Sequence, residues 1–314
     1  MPLRPITPDE HQDELQTGYL HHGYAQALSQ FGAPIELPRS KAWFLKRPIP
    51  GSAHFDGIGC YPYMLCRDWA GLASDFEINR DDLVSFSAVP DPFGSYTIDD
   101  LKSAFPDRFV HFKDHHVADL GVPVDELISR HHRREAMRAL KRVEVEFCEQ
   151  PIRFLDAWVE LFNVSADRFS IKGIRAYSVE SFAKQLALPG ACMSIARHQG
   201  KVIAAHIQML HGDVVYAHLS AANDLSNKMG ASYALYYSEI QYFSDKARWI
   251  DWGGEAGLVQ NGNLSSFKRG WSTGVRPVYF CGRIFDRKRY DEITSLRCKN
   301  PGDYFPAYRE GEFD

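Results

Sequence analysis

Apolar positions recur along this chain with two different periods, and each change of period marks an element. After a polar start, Tyr19 to Phe31 carries a weakly helical spacing. Ala42-Trp43-Phe44-Leu45 and Leu83 to Val89 are apolar runs of strand length, in a region punctuated by Pro48, Pro50, Pro62, Pro90 and Pro92. Phe109 to Phe112 predicts another strand, ended by a turn through Asp114 to Gly121. Val124 to Arg142 predicts one basic helix with Asp125 as its N-cap, acids in its first turn and cations in its last, as the helix dipole favours. Val143 to Phe147 alternates strictly and predicts a half-buried strand.

Beyond that strand, Pro151 opens a helix with Phe154, Leu155, Trp158, Val159 and Phe162 on one face. A second helix covers Ser178 to Leu188 and stops at Pro189-Gly190. Three apolar runs follow, Ala191 to Arg197, Lys201 to Leu210 and Val214 to Ser220; the short turns between them predict an antiparallel meander. A polar loop, Ala221 to Gly230, leads into a helix with Tyr233, Tyr236, Ile240, Phe243 and Ala247 spaced to pack on a sheet. Trp249-Ile250-Asp251-Trp252 suits a buried strand that Gly253-Gly254 ends. A polar loop and a short return through Ser265 to Trp271 precede a last strand at Val278 to Phe280. This order predicts a mixed α/β core.

Composition narrows the class. The 314 residues, 45% hydrophobic and 24% charged, describe a globular protein long enough for two domains. A net charge of −4 gives no global preference for polyanions, so any such contact is local. The amino terminus lacks an apolar signal core and no stretch reaches the length of a membrane span, so a cytoplasmic location is expected. Six scattered cysteines without a C-x-x-C pair predict reduced thiols rather than a zinc site or a disulfide framework. His111, His115, His116, His131 and His132 fit no metal-ligand spacing, and no metal is expected.

Candidate chemistry gathers around residues 248–271. Phe267 and Trp271 bracket Lys268 and Arg269, an arrangement suited to holding a cation at a strand end. Asp251, between two tryptophans, must be paired, hydrogen-bonded or protonated if buried; it serves equally as an orienting base or as a structural acid. Glu255 is a second acidic candidate, and His206 and His218, on adjacent meander strands, are proton acceptors of suitable type. Asn227, Lys228, Met229, Gly230, Ala231 and Ser232 stand at a helix start, where amide groups bind anions. The basic stretch with Arg133 and Arg134 is either a solvated face or a phosphate grip. Gly270 to Gly274 spells G-x-S-x-G, but a strand rather than a helix follows and no histidine lies beyond His218, so the hydrolase reading is rejected.

RREAMRALKR, GKVIAAHIQMLHGDVVYAHLSA, NKMGASYALYYSEI and WIDWGG…SSFKRGWS together resemble the GNAT superfamily, in its FemAB-like branch of acyl and aminoacyl transferases. The resemblance implies a GNAT-like mixed sheet flanked by helices, in two tandem domains. Residues 1–124 would be a degenerate first domain, 125–290 the transferase domain and 291–314 a tail. It further implies N-acyl or aminoacyl transfer to an amine, with acyl-CoA or aminoacyl-tRNA as co-substrate and no tightly bound cofactor. Acceptors implied are an amine-bearing small molecule or a cell-wall or polysaccharide precursor, with tRNA a partner if it is the donor. Lys268 matches the lysine of an F/Y-K-x-x-W/F signature and would stabilise an oxyanion, with Asp251 and His218 beside it in catalysis. Arg133, Arg134, Arg269, Trp252, Phe267 and Trp271 would contact substrate. Residues 227–232 would cradle phosphate, although Asn227 and Ser232 depart from the Q/R-x-x-G-x-G/A pattern. A catalytically idle binding module is the alternative.

Overall fold

The computed structural model describes residues 16–254, 263–298 and 302–312. Among these residues eleven strands join in one mixed sheet: β1 (Ala33–Leu37), β2 (Ala42–Pro48), β3 (Phe55–Gly59), β4 (Ser85–Ala88), β5 (Arg108–Asp119), β6 (Glu144–Cys148), β7 (Ala191–His198), β8 (Lys201–His211), β9 (Val214–Ala222), β10 (Trp249–Gly253) and β11 (Gly274–Ile284). Their order is β1-β2-β3-β4-β11-β5-β10-β9-β8-β7-β6. The predicted meander is present as antiparallel β7, β8 and β9. The two halves of the sheet meet at β5, which pairs antiparallel with β10 along one edge and with β11 along the other.

Helices cover both faces. Ala231–Phe243 lies on one, burying Tyr236, Ile240 and Phe243 against Ile250, Val215 and Trp252. Leu155–Phe169 and Val179–Leu186 lie on the other, setting Trp158, Phe162 and Phe182 against Ile195, Ile207 and Met209. Each large apolar side chain removed from water in this way contributes about 1.5–3 kcal/mol. Among the described residues no helix is long and apolar enough to cross a membrane.

Four local expectations are corrected. Most of the turn expected at 114–121 is instead the second half of β5, which runs to Asp119 because β10 and β11 supply ladder partners for its backbone on both edges, and only Leu120 and Gly121 turn. The single basic helix is two helices, Val124–Leu127 and Arg130–Ala139, and the cap of the longer one is Ser129, whose hydroxyl accepts from the His132 amide. Asp125 pairs with Arg133 instead. The polar loop before Gly230 winds into a helix, Asp224–Met229, capped by the Asn223 side chain. The return carrying Lys268 is also helical, Asn263–Arg269.

The segment after β11 forms a helix, Arg287–Arg297, and a docked stretch in which buried Arg309 donates to Asp56 at 2.8 Å.

Candidate active site

β9 and β10 run parallel but pair over three residues only, from Trp249 opposite Val214 to Asp251 opposite Tyr216. β9 continues to Ala222 and β10 to Gly253, so the two strands part beyond Asp251 and Tyr216. A bulge at Trp252 bends β10 at the same place, between the pairs Asp251–Val117 and Gly253–His116. The fork opens at the carboxyl ends of both strands, and the helix that begins at Ala231 follows β9 from that end.

Lys268 reaches the end of β10. Its residue is buried, and Nζ donates to the Gly254 carbonyl at 2.8 Å. An ammonium carries three N–H donors, and this bond fixes the direction of one of them. The position a Cβ would take at Gly253 lies 3.5 Å from Lys268 Nζ and 3.9 Å from the Tyr63 hydroxyl. The helix carrying Lys268 is tied to β5 by Ser265, whose hydroxyl stands 2.9 Å from His116 Nε2. Burial, then the nearby Lys268 and Arg269 cations, hold the His116 imidazole below its usual range.

Asp251 is buried on the other face of β10, among polar groups. His115 Nδ1 donates to its two carboxylate oxygens at 3.1 and 3.0 Å, and the Gly253 amide donates to Oδ1 at 2.7 Å. The Tyr63 hydroxyl stands 3.5 Å from the same Nδ1. Tyr216, opposite Asp251 on β9, donates to Asp91 at 2.9 Å. Burial pushes the Asp91 carboxyl up to about 7 against the opposing bonds from the Phe93 amide and Tyr216. Sequence spacing offers His115 only as a metal-ligand candidate in a turn, whereas the structure sets it against Asp251. The apolar pair Val117-Ala118, directly after it, is the signal that the strand continues.

Other expected site residues lie elsewhere. His218 has both ring nitrogens engaged: Nε2 donates to Gln185 Oε1 at 2.7 Å and Nδ1 accepts from Tyr19 at 2.9 Å. Burial drives its pKa to about 3, which makes it a fixed neutral partner of Gln185 and Tyr19. His206 is likewise committed, to Glu239 at 2.8 Å. Trp252 and Trp271 are core residues rather than substrate contacts. Trp252 donates to the Trp271 carbonyl at 2.9 Å and stacks on Tyr236, with ring centroids 4.5 Å apart. Phe267, half-buried, meets Tyr233 and Tyr236 edge-on, both at 5.1 Å. Arg269 is exposed. Ser272 donates to the Lys268 carbonyl at 2.7 Å, as a loop residue. Glu255 lies outside the described residues.

The expected phosphate cradle is partly rewound. Asn227, Lys228 and Met229 belong to the short helix, and the Gly230 amide donates back to Asn227 and Ser226. Gly230 then takes the left-handed conformation, φ 71°, and Ala231 and Ser232 open the long helix without a side-chain cap. Gly230 packs toward Ala139, at the end of the Arg130–Ala139 helix. That helix lines a groove of about 400 Å³ with Arg130, Arg133, Arg134, Met137, Arg138 and Lys141. Arg133 is paired with Asp125, and Arg134 with Glu135 at 3.3 Å.

Residues 129–269 match the family model described as an acetyltransferase (GNAT) domain. No curated protein matches the chain. Among solved structures, it is similar to FemX at 16% identity, covering 93% of this chain and 100% of that one with a TM-score of 0.65. L-PGS from Bacillus licheniformis is similar at 14% identity, 86% and 94% coverage and a TM-score of 0.58. Residues 129–269 thus carry a GNAT-type domain, and the chain as a whole shares its fold with FemX and L-PGS.

Proposed function

We propose that this chain, a GNAT-type and FemAB-like fold, is an N-acyltransferase in which an amine attacks the carbonyl of an activated acyl or aminoacyl donor. The observation that carries the reading is the ammonium of Lys268, held by the Gly254 carbonyl at the end of β10, the strand that parts from β9 beyond Asp251. As the amine adds, the carbonyl oxygen becomes an oxyanion, and a fixed donor in a buried site lowers that barrier by about 2.7–4 kcal/mol. Holding amine and carbonyl together in the fork supplies further rate by orientation. Residues 125–290 are the catalytic unit in this reading, and they contain the matched segment.

The donor is an acyl-CoA or an aminoacyl-tRNA, with its phosphates along the groove of Arg133 and Arg134 and at the uncapped helix start of Ala231 and Ser232. The acceptor is an amine-bearing small molecule or a cell-wall or polysaccharide precursor. One observation favours an idle binding module as the second reading: the amides of the expected cradle are partly consumed by the Asp224–Met229 helix.

Melting curves with acetyl-CoA and with alanyl-tRNA test the donor. A ligand of the native state present at a hundred times its dissociation constant stabilises by about 2.7 kcal/mol. The expected result is a rise with one donor that is reduced in the double variant Arg133→Ala, Arg134→Ala. A rise without transfer to any amine supports the idle module, and no rise with either donor contradicts the transferase reading.

A further inference from the structure

We propose that His115 is the general base of this site and that Asp251 is the residue that positions it; the proposal rests on the acyl-transfer reading above. Four observations converge on His115. Its ring is almost wholly buried, at 1% exposure, in the half of β5 that lies against β10. A carboxylate only accepts hydrogen bonds, so the contacts of 3.1 and 3.0 Å to Asp251 put a proton on Nδ1, which in the neutral imidazole leaves Nε2 with a lone pair. Asp251 is in turn held by the Gly253 amide at 2.7 Å, which fixes the carboxylate and hence the ring. Among the described residues Nε2 itself is buried without a hydrogen-bond partner. Native structures rarely leave such a group unsatisfied, and a site awaiting a proton is one reason to do so.

His115 Cδ2, the carbon bonded to Nε2, comes within 3.3 Å of the position a Cβ would take at Gly254. The carbonyl of that same residue accepts from Lys268. The imidazole and the ammonium thus both approach the end of β10, at Gly253 and Gly254. Groups facing His115 are Asp251 on β10, Tyr63 from the segment between β3 and β4, and Arg276 opposite it on β11. Lys113, Asp114 and His116 flank it on β5, and Lys268 and Asp91 stand behind these neighbours.

In the step proposed, the amine lone pair forms the N–C bond while the carbonyl pair moves to oxygen beside Lys268. The surplus amine proton passes to His115 Nε2. Collapse of the adduct breaks the C–S or C–O bond, its electron pair leaves with the thiol or alcohol, and the proton on Nε2 neutralises that leaving group. Asp251 holds the tautomer throughout and does not itself take the proton.

The test combines a spectrum and a rate on the full chain. Nitrogen-15 histidine NMR of the wild-type protein is expected to show His115 with Nδ1 protonated and Nε2 bare, and Asp251→Asn to lose that preference. Turnover is followed with acetyl-CoA and alanyl-tRNA against a panel of amino acid amides, amino sugars and peptide amino termini. His115→Gln and Asp251→Asn are each expected to slow transfer by about 10²–10⁴-fold. His115→Gln should also replace the acid limb of the pH profile by a rise that follows the acceptor amine's own deprotonation, and added imidazole should restore part of the rate. A proton on Nε2 in the wild type overturns the proposal even if both variants fail to fold. Transfer by the wild type with an unchanged profile in His115→Gln overturns the base assignment alone. Absence of transfer by the wild type with every donor and acceptor overturns the acyl-transfer reading and the base with it.

Discussion

The two faces of β10 differ in kind although five residues make both. Ile250 and Trp252 look toward the Ala231–Phe243 helix and join Tyr236, Phe243 and Trp271 in an apolar layer. Asp251, between them in sequence, looks the other way, toward His115 and the hydroxyls of Tyr63 and Tyr216. Alternation along a strand is enough to separate them. The helix-side face gives the strand a rigid backing, while the opposite face carries charge and protons. Lys268 belongs by chain to the helix side but delivers its ammonium past the strand end, where the two environments meet.

Truncation on the apolar face is the largest way to break this contrast. Trp271→Ala removes a fully buried ring packed on Tyr236 and His132, and is expected to cost about 3–5 kcal/mol in chemical denaturation. A loss below about 1 kcal/mol would mean that the layer is not a packed core.

The polar face sharpens the contrast through pH, with a smaller effect. Asp91 has its folded pKa raised to about 7, above the usual Asp value of about 3.9, so the folded state binds the extra proton. Its contribution is fully present below the unfolded pKa and is lost as pH rises toward 7. His218 has the opposite sign. Its pKa is lowered to about 3 from the usual value of about 6.5, so stability is lost as pH falls through that window. Denaturation at a series of pH values should show Asp91→Asn removing a falling slope and His218→Gln removing a rising one. Parallel curves for wild type and both variants would contradict the buried polar layer.

Much of the architecture is legible in the sequence wherever one face is buried and the other is not. The meander, the helix with Tyr236 and Ile240, and the strand around Asp251 follow from periodicity alone. β5 does not. Its polar run Asp114-His115-His116 has the composition of a turn, and only pairing on both edges, a long-range property, makes it a strand. The base candidate was hidden with it. Residues 224–229 misled in a similar way: Asn223 and Gly230, two turn-forming residues, are the cap and stop of a short helix between them. The aromatic flanks that single out Lys268 in the sequence are themselves packed in the core. Phe267 and Trp271 pack on the Ala231–Phe243 helix and so aim the lysine between them, rather than walling a substrate.

The most direct measurement is single-turnover acyl transfer by Lys268→Met, which removes the ammonium and keeps most of its aliphatic stem. The account predicts a rate lower by about 10²–10³-fold, with the cooperative melting of the wild type retained. Wild-type transfer by that variant would contradict the claim that a fixed positive charge at the end of β10 drives the reaction.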